Sequence, residues 1–477
     1  MAGKAGENIR KKKLTARRLK KAVKAMTALM VILLAAAVLS AYHHYSEYPG
    51  VVKRSSFRVS DVGTDFIELS WESARNAASY SVFYKKGGRN SAGDGQLNEI
   101  DSKTSTVRLE GLEEGASYYV SVRANSSEHE GWSSGARRFV TQSRQKVIAE
   151  DNIVKLAGSG PFTIEAEANT DISFESNDPE VIEVDESTGE AVVKGTGWAK
   201  IKVKAKESSQ FTGAKKTINV LVLDADPVSI SGSSMRIIYD LDFDNCSTLM
   251  HVTGDGGAVA PQGMAYTGSK YMMTFGTSGS SRIISYDLKG TNKKIEVPGI
   301  SLGHPNGFTY SPETGLCYCV RGRSSACVIY DTKNDSYRKI TMPVGCSGIG
   351  YDPVRKTLCT SARKSLVVYD PDDYTILKRT GVVAHSGTVY RQDCCAYDGL
   401  ILCCVSGSSM HGTNYIDIYD MENNTYVGTL RCSLSEVESV IVDSEGFLEI
   451  LSNGSSRSDY ILKTDINIKG LAKELHQ

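Results

Sequence analysis

A repeat runs through the C-terminal half of this chain, over residues 261–466. Each copy begins with a short apolar strand, followed by a turn, a second apolar strand, another turn, and a strand that usually ends in Tyr-Asp. The last residue of the first strand recurs at intervals of 44, 41, 46 and 45 residues, at Tyr266, Tyr310, Tyr351, Tyr397 and Val442. One small sheet of this kind leaves an apolar face uncovered, so the copies must pack against one another.

The period and the strand content predict a β-propeller, in which small sheets pack radially around a central channel. We count five blades over residues 226–477, with six as the alternative count. The stretch 235–240 has the pattern of a third strand without the strands that should precede it, and it lies 47 residues before Tyr286. We therefore expect this N-terminal piece of the repeat region to complete the last blade and close the ring.

The repeats are similar to bacterial β-propellers of the Tyr-Val-Thr-Asn or quinoprotein-like kind. They contain neither a repeated Trp-Asp pair nor the double glycine typical of kelch repeats. The sequence does not support binding of pyrroloquinoline quinone, and we expect no cofactor.

A polar residue stands four positions before the last residue of every first strand. Two positions earlier stand Ala260, His304, Gly345, Arg391 and Glu436. The innermost strand of a propeller blade begins at the mouth of the channel, so these side chains are predicted to converge there. The candidate ligand-binding residues are Gln262, His304, Asn306, Ser347, Asp393, Glu436 and Glu438.

Two interpretations of this polar rim remain open. Junctions between loops and strands are commonly polar, and the side chains then bond only to backbone or channel water. Alternatively they form a pocket for a small ligand, glycan or metal ion, in which His304, Asp393, Glu436 and Glu438 act as acid, base or metal ligands. Tyr390 and Tyr415 are candidate aromatic residues for a binding rim. The sequence assigns no catalytic residue and does not decide whether a metal binds.

The eleven cysteines all lie between Cys246 and Cys432, and their odd number prevents complete pairing within one chain. None forms a Cys-x-x-Cys motif, which argues against a zinc site. We expect the cysteines of the second strands to be small apolar core residues. One or two disulfides are the alternative in an oxidising compartment.

The N-terminus predicts a membrane anchor. Residues 25–42 carry no charge, and eighteen residues at a helical rise of about 1.5 Å reach about 27 Å, close to the thickness of a bilayer core. Residues 1–24 contain ten Lys or Arg against one acid, Glu7, which predicts a cytoplasmic N-terminus. A cleaved signal peptide is the alternative, with small residues near Ala37–Ala41 as the cleavage site. Residues 43–54 are expected to form a short stalk, and under both interpretations the chain after Tyr42 is exported.

Residues 55–142 have the alternating strands and polar turns of a β-sandwich. Ile67-Glu-Leu-Ser-Trp71 and Leu112-Glu-Glu-Gly-Ala-Ser-Tyr118 resemble the second strand and the tyrosine corner of the fibronectin type III family, with Glu114 in place of the usual proline. The resemblance implies that Trp71 fills the core and that the Tyr118 hydroxyl pins the strand crossover. For Trp132, sugar stacking is the alternative to ordinary packing.

Residues 143–225 resemble a group 2 bacterial immunoglobulin-like domain. The resemblance rests on Ser176-Asn-Asp-Pro-Glu-Val181, Gly195-Thr-Gly-Trp-Ala-Lys-Ile-Lys-Val203 and Phe211-Thr-Gly-Ala-Lys-Lys-Thr-Ile-Asn-Val220. It implies a bacterial surface protein in which the module is a spacer or an adhesive unit. Ala199, Ile201, Val203 and Ala205 are predicted to point inward on one strand, with lysines outward.

Charge limits the class of partner. Outside residues 1–24 the chain holds 45 basic and 54 acidic residues, which argues against nucleic acid. The sequence therefore predicts an all-β chain: an N-terminal transmembrane helix, two immunoglobulin-like sandwiches and a propeller. The expected function is binding of glycan or protein at the cell surface or wall. The alternative is a hydrolase or lyase acting on a sugar or lactone at the channel mouth.

Overall fold

The computed structural model describes residues 2–87, 96–255, 260–277, 280–300, 303–407, 412–454 and 459–477. The chain is mostly β, as predicted, with a long N-terminal helix and a short C-terminal helix. It divides into two compact units. The first comprises Met1–Val147, Ala168–Ile172 and Lys204–Lys215, and the second comprises Ile148–Glu167, Ser173–Val203 and Lys216–Gln477.

Helix α1 (Ala2–Glu47) carries both the basic segment and the uncharged segment of the N-terminus. Within the described residues it is the one helix long and apolar enough to cross a membrane, and a signal sequence meets the same criterion. The helix continues past Tyr42 to Glu47, so the predicted stalk begins as helix and loses regular structure only after that residue. A single 3₁₀ turn, Arg54–Ser56, comes next.

The first unit contains two sheets, with strand orders β1-β2-β5 and β4-β3-β6-β7, and with β8 pairing β6. The strands are β1 (Arg58–Val62), β2 (Ile67–Ser70), β3 (Ser79–Lys86), β4 (Asn98–Ser102), β5 (Thr106–Leu109), β6 (Ser117–Asn125), β7 (Glu130–Ser133) and β8 (Arg137–Val140). Trp71 is buried in the core, with its ring centroid 5.4 Å from that of Tyr80. The Tyr118 hydroxyl accepts a hydrogen bond from the backbone N–H of Glu113 at 2.8 Å, which pins the chain crossover.

The second unit begins with a group of short strands. They are β9 (Ile148–Ala149), β10 (Asn152–Leu156), β11 (Phe162–Thr163), β12 (Ala166–Glu167), β13 (Ile172–Ser176), β14 (Ile182–Val184), β15 (Glu190–Val193), β16 (Gly197–Ala205) and β17 (Ala214–Leu223). The main sheet has the order β10-β17-β16-β13, with β10 parallel to β17. On β16, the four predicted inward residues are buried and the lysines between them are exposed, because side chains alternate along a strand.

Five further sheets make up the repeat region, each with four successive positions from the inside outward. The first sheet has the strands β21 (Pro261–Tyr266), β22 (Lys270–Thr277), β23 (Ser280–Asp287) and β24 (Lys293–Ile300), and the second has β25 (Gly307–Ser311), β26 (Leu316–Val320), β27 (Ser324–Asp331) and β28 (Ser336–Cys346). The third has β29 (Gly348–Asp352), β30 (Thr357–Ser361), β31 (Leu366–Tyr369) and β32 (Ile376–Thr380), and the fourth has β33 (Val389–Tyr397), β34 (Leu400–Gly407), β35 (Asn414–Asp420) and β36 (Thr425–Cys432). The fifth has β37 (Glu436–Val442), β38 (Phe447–Asn453) and β39 (Asp459–Asn467). Consecutive strands in each of these five sets pair antiparallel, so each set is a meander.

The first strands of the five sheets pack against one another in sequence. Strand β21 packs on β25, β25 on β29, β29 on β33 and β33 on β37, and β37 packs back on β21. Glycines allow this close approach: a Cβ added at Gly263 would lie 2.6 Å from the Cβ of Phe308, and one at Gly348 would lie 2.6 Å from the carbonyl carbon of Asp393. Close packing of the backbones therefore requires glycine directly after the polar residue of the first three repeats, at Gly263, Gly307 and Gly348.

The strand that completes the fifth sheet is not the predicted stretch 235–240. That stretch lies largely in β19 (Ile237–Leu241), which pairs in parallel with β36 at the outer edge of the fourth sheet. The fifth sheet is instead completed by β20 (Cys246–Val252), which pairs antiparallel with β39. The short strand β18 (Val228–Ser229) also pairs with β36. The apolar pattern of 235–240 indicated a strand, but partner choice depends on distant residues that the local pattern does not contain.

The C-terminal helix α2 (Ile468–Leu475) joins the early part of the second unit to the five sheets. It buries Ile468, Leu471 and Ala472 in a core cluster that also contains Val154 and Leu221. Its N-cap, Asn467, accepts a hydrogen bond from the Gly470 N–H at 2.7 Å. This cluster connects β10 and β17 with the fourth and fifth sheets.

Candidate functional site

Four of the seven predicted binding residues line one cavity, which we name the rim pocket. Its volume is about 450 Å³, and the four residues are His304, Asn306, Ser347 and Glu436. They precede or begin the first strands of the second, third and fifth sheets. The fourth sheet contributes Tyr390, Arg391 and Gln392 from β33 and Ser406 from β34. Four consecutive sheets therefore supply the wall.

The other three predicted residues, Gln262, Asp393 and Glu438, do not line this pocket. They are 4%, 0% and 3% exposed, respectively, so they lie in the interior between the first strands. Of the seven side chains expected on one rim, the structure brings four together in the pocket. The remaining three support the site from inside the protein.

Side-chain hydrogen bonds run along the wall of the rim pocket. The Asn306 amide donates to Gln392 Oε1 at 3.2 Å, and the Gln392 amide donates to Glu436 Oε1 at 3.2 Å. Beneath them, Gln262 and Asn453 both donate to Glu438 Oε1, at 3.3 and 3.4 Å. The amides are therefore held in defined orientations, which is what a site for hydroxyl or amide groups of a ligand requires.

Glu436 and Glu438 form a coupled carboxyl pair on β37, separated by one residue. Burial, and then the charge of Glu436, raise the pKa of Glu438 well above its usual range. Burial also raises the pKa of Glu436. Two neighbouring carboxyl groups in a buried place disfavour each other's ionised form, and of the two only Glu436 lines the rim pocket.

Asp393 has a structural role, because its carboxyl bonds to residues of several strands. Its carboxyl accepts hydrogen bonds from the N–H groups of Phe308 (3.2 Å), Ile349 (3.2 Å) and Cys394 (2.8 Å) and from the Ser439 hydroxyl (2.7 Å). Burial raises its pKa to about 8, against the lowering effect of these bonds. The residue connects four first strands and has no access to a ligand.

The surroundings of His304 disfavour its charged form. Burial, and then the positive charge of Arg323, lower the pKa of His304. The imidazole is therefore neutral at pH 7 and offers one donor and one acceptor.

A buried polar cluster lies behind the pocket wall. Asp417 receives hydrogen bonds from His385 Nε2 (2.9 Å), Arg391 (3.2 Å), Thr429 (2.7 Å) and Tyr419 (3.1 Å). Burial raises the pKa of Asp417, but the hydrogen bond from His385 and the charge of Arg391 outweigh it and hold the pKa below its usual range. The ionised Asp417 thus fixes Arg391 in the wall of the pocket.

Several pocket residues were absent from the predicted set. Arg391 occupies the same repeat position as His304 and Glu436, six residues before the end of the first strand, and Gln392 is the next residue in the chain. A wider selection of repeat positions would therefore have included both. Arg323 and Ser406 come from other strands and turns of the repeat, where no column marked them. Tyr390, one of the two candidate aromatics, lines the pocket, whereas Tyr415 instead contacts the His385 ring, with centroids 5.3 Å apart.

The described residues contain no group of three or more His, Cys, Asp and Glu side chains arranged to hold a metal ion. All eleven cysteines are free thiols, and ten of them are buried. The alternative of one or two disulfides is thus not realised in this structure. Burial raises the pKa of Cys319, Cys394 and Cys404 well above the usual range, so these thiols are unreactive as nucleophiles.

Comparison with known proteins identifies one domain. Residues 53–138 match the fibronectin type III domain family, which confirms the prediction for this segment. No curated protein matches the chain.

Several solved structures show partial likeness. The fibronectin type III domain of human collagen alpha-1(XX) is 24% identical, covering 18% of this chain and 80% of that one, with a TM-score of 0.16. The FN5 domain of Drosophila Lar is 19% identical, covering 20% and 96%, with a TM-score of 0.17. Glutaminyl cyclase of Myxococcus xanthus is 11% identical, covering 48% and 98%, with a TM-score of 0.36. These TM-scores do not establish a shared overall fold.

Proposed function

We propose that this chain is a single-pass bacterial membrane protein that presents a five-bladed β-propeller outside the cell for binding a glycan or protein. The helix α1 contains an apolar stretch long enough to span a bilayer, preceded by ten basic residues. Positive charge of this kind favours a cytoplasmic N-terminus. Fibronectin type III domains are typical of extracellular regions, and residues 53–138 belong to that family.

The propeller assignment rests on the packing of the first strands, in which β37 packs back on β21. It also rests on the pairing of β20 with β39, which joins the N-terminal and C-terminal ends of residues 246–467 in one sheet. Such pairing removes two free sheet edges that a linear array of sheets would leave open. Five sheets then correspond to five blades, and the immunoglobulin-like strands β9–β17 are the spacer before them.

The observation that carries the binding function is the convergence of four sheets on the rim pocket. Its wall carries two oriented amides, Asn306 and Gln392, with the carboxyl of Glu436 and the neutral imidazole of His304. Tyr390 is 41% exposed beside them and offers an aromatic face. Amides, hydroxyls and an exposed tyrosine are the groups that bind sugar hydroxyls and peptide amides.

Binding to an array of polysaccharides, cell-wall fragments and peptides tests this proposal. The full-length protein in detergent micelles is compared with the double variant Asn306→Ala/Gln392→Ala, which breaks the amide chain of the pocket. Gln96→Ala, at an exposed amide of the first unit, is the control. We expect a bound probe whose affinity falls at least tenfold in the double variant and is unchanged in the control.

Equal affinities of the double variant and the unmodified protein, with matching thermal unfolding, would place binding elsewhere. Release of shortened products from a bound polysaccharide would favour the enzyme alternative instead.

A further inference from the structure

A second cavity adjoins the rim pocket, and we name it the arginine cleft. Its volume is about 730 Å³, and it shares Arg323, Ser347, Tyr390 and Arg391 with the rim pocket. The rest of its wall comes from the turn at Ala362–Arg363 and from the segment 382–389, which leads from β32 into β33. The two cavities therefore meet along these four shared residues.

The charge of the arginine cleft is positive. Arg323, Arg363, Arg391 and His385 line it, and its described lining residues include no Asp or Glu. Arg323 and Arg363 are exposed and form no ion pair in the described part of the chain. Arg323 instead lies over the ring of Tyr390, 5.1 Å from its centroid. Arg391 is paired with Asp417, so the guanidinium charges without a partner are those of Arg323 and Arg363, and an anion that enters the cleft gains energy from them.

Two of the nitrogen-bearing side chains in the wall are held in place from behind. Asp417, which does not line the cleft, bonds both Arg391 and His385. The side chains of these two residues are 5% and 2% exposed, so their positions in the wall are set by packing. Preorganised donors of this kind bind an anion without first losing side-chain freedom.

The His385 ring leaves one polar atom unsatisfied. Its Nε2 is bound to Asp417, whereas Nδ1 is buried and has no hydrogen-bond partner in the described residues. Buried nitrogens of this kind are rare in folded proteins unless water or a ligand completes them. His385, which lines the cleft, therefore retains one unused hydrogen-bonding position on its ring.

We propose that the arginine cleft binds the carboxylate of an acidic oligosaccharide whose neutral hydroxyls occupy the rim pocket. This rests on the proposed binding function and names its ligand class. Arginine is suited to carboxylates because two of its N–H groups match the two carboxylate oxygens. The amides of Asn306 and Gln392 line the rim pocket, where Gln392 directly follows Arg391 in the chain, and they match sugar hydroxyls. In one uronate unit, the carboxylate binds the arginines of the cleft and the hydroxyls bind the amides of the rim pocket.

Calorimetric titration of the full-length protein in detergent micelles tests the ligand class. The probes are oligogalacturonate and hyaluronate oligosaccharides, each paired with its carboxyl-reduced, neutral form, and glycerol phosphate oligomers as a phosphate-bearing arm. We expect binding of an acidic oligosaccharide at least tenfold tighter than of its reduced form, and weaker binding as salt increases. Equal affinities for the acidic and reduced forms, binding of the phosphate arm alone, or binding of no acidic probe would each overturn the proposal.

Variants separate this proposal from the general binding function. Arg323→Gln/Arg363→Gln removes two exposed charges that make no ion pair in the described chain, so its fold should be retained. Arg379→Gln, an exposed arginine on β32 that is not in the wall of either cavity, is the matched control. We expect the double variant to lose at least tenfold in affinity for the acidic probe and the control to lose none. A neutral glycan that binds through Asn306 and Gln392 but is insensitive to both arginines would leave the binding function standing and overturn the carboxylate site.

Discussion

Asp393 shows how a single buried carboxyl organises the centre of the five sheets. Its hydrogen bonds come from residues of β25, β29, β33 and β37, which are far apart in the sequence. Burying a polar group without partners costs about 1–3 kcal/mol, so four donors are needed to make this position tolerable. The same polarity that suggested a ligand site in the sequence therefore serves to connect strands.

Glu449 is a second buried carboxyl, and its environment makes stability depend on pH. It lies on β38 and accepts a hydrogen bond from the Tyr271 hydroxyl at 2.8 Å. Burial raises its pKa to about 7, and the bond from Tyr271 opposes this. Asp443, Glu445 and Lys463 are the other charged groups that act on it. In an unfolded chain the pKa of a glutamate is about 4.3.

We predict that Glu449→Gln removes part of the pH dependence of stability. A carboxyl whose pKa is raised by folding stabilises the folded state fully below about pH 4, and this contribution is lost as the pH rises through about 7. The difference in pKa corresponds to about 3 kcal/mol between pH 4 and 8. Glutamine retains an acceptor for Tyr271 and has no charge. The variant should therefore match the unmodified protein in stability to urea at pH 4 and be more stable than it at pH 8.

Glu190→Gln is the control for this comparison, because Glu190 is an exposed carboxyl of the second unit on β15 and is not among the groups that act on Glu449. Its stability should follow that of the unmodified protein at both pH values. Parallel pH profiles for Glu449→Gln and the unmodified protein would show that the carboxyl of Glu449 ionises normally in the fold.

At the scale of elements, helix α2 depends on a buried ion pair with β10. Lys155 on β10 and Glu474 on α2 pair with side-chain exposures of 11% and 9%, and Ser159 also donates to Glu474. The same helix carries an exposed pair, Lys473 with Glu150. The two pairs join the same helix to the same region, so they allow a matched comparison of burial.

We predict that Glu474→Ala destabilises the second unit by about 3–5 kcal/mol, because it leaves the ammonium of Lys155 buried without a counter-charge. Lys473→Ala should cost no more than about 1 kcal/mol, since an exposed pair gains little. The combined change Lys155→Met/Glu474→Leu should recover most of the loss by replacing two charges with apolar groups. Urea unfolding of the four proteins measures this. Similar losses for Glu474→Ala and Lys473→Ala would mean that burial of the pair contributes little.

The repeat pattern predicted the inner elements well and the outer ones poorly. The predicted strand that ends in Tyr-Asp is observed as β27 in the second repeat and β35 in the fourth, and both strands are largely buried and apolar. The fourth strands were not predicted. In β28 most side chains are exposed, so the sequence lacks the apolar alternation that marks a strand.

The candidate site was predictable only in part, for a similar reason. Alignment of the repeats located the ends of the first strands, which brought His304, Asn306, Ser347 and Glu436 into the predicted set. Whether a side chain at such an end faces the cavity or the interior depends on strand register and twist, which distinguish Glu436 from its near neighbour Glu438. Arg323 and His385 enter the site from turns and connections, whose paths the repeat does not encode.

For the whole molecule, the distribution of charge and the burial of the thiols together allow a direct test of membrane topology, that is, of which side of the membrane each part of the chain faces. The basic residues cluster before the apolar part of α1, whereas the remaining chain is mildly acidic. Ten of the eleven native thiols are buried, so an impermeant maleimide should react little with the unmodified protein. Gly6 and Gly381 are suitable positions for a new thiol, because an added Cβ at either has no atom within 4 Å.

We predict that Gly381→Cys is labelled by an impermeant maleimide in intact cells, whereas Gly6→Cys is labelled only after the membrane is permeabilised. We expect this if α1 spans the membrane with its basic end in the cytoplasm, because the charged end is retained there. Labelling of Gly6→Cys on the full-length mature protein also distinguishes an anchor from a cleaved signal peptide, which would remove that residue. Labelling of both variants in intact cells would contradict the orientation. Labelling of neither before lysis would place the five sheets inside the cell and remove the basis for an extracellular ligand.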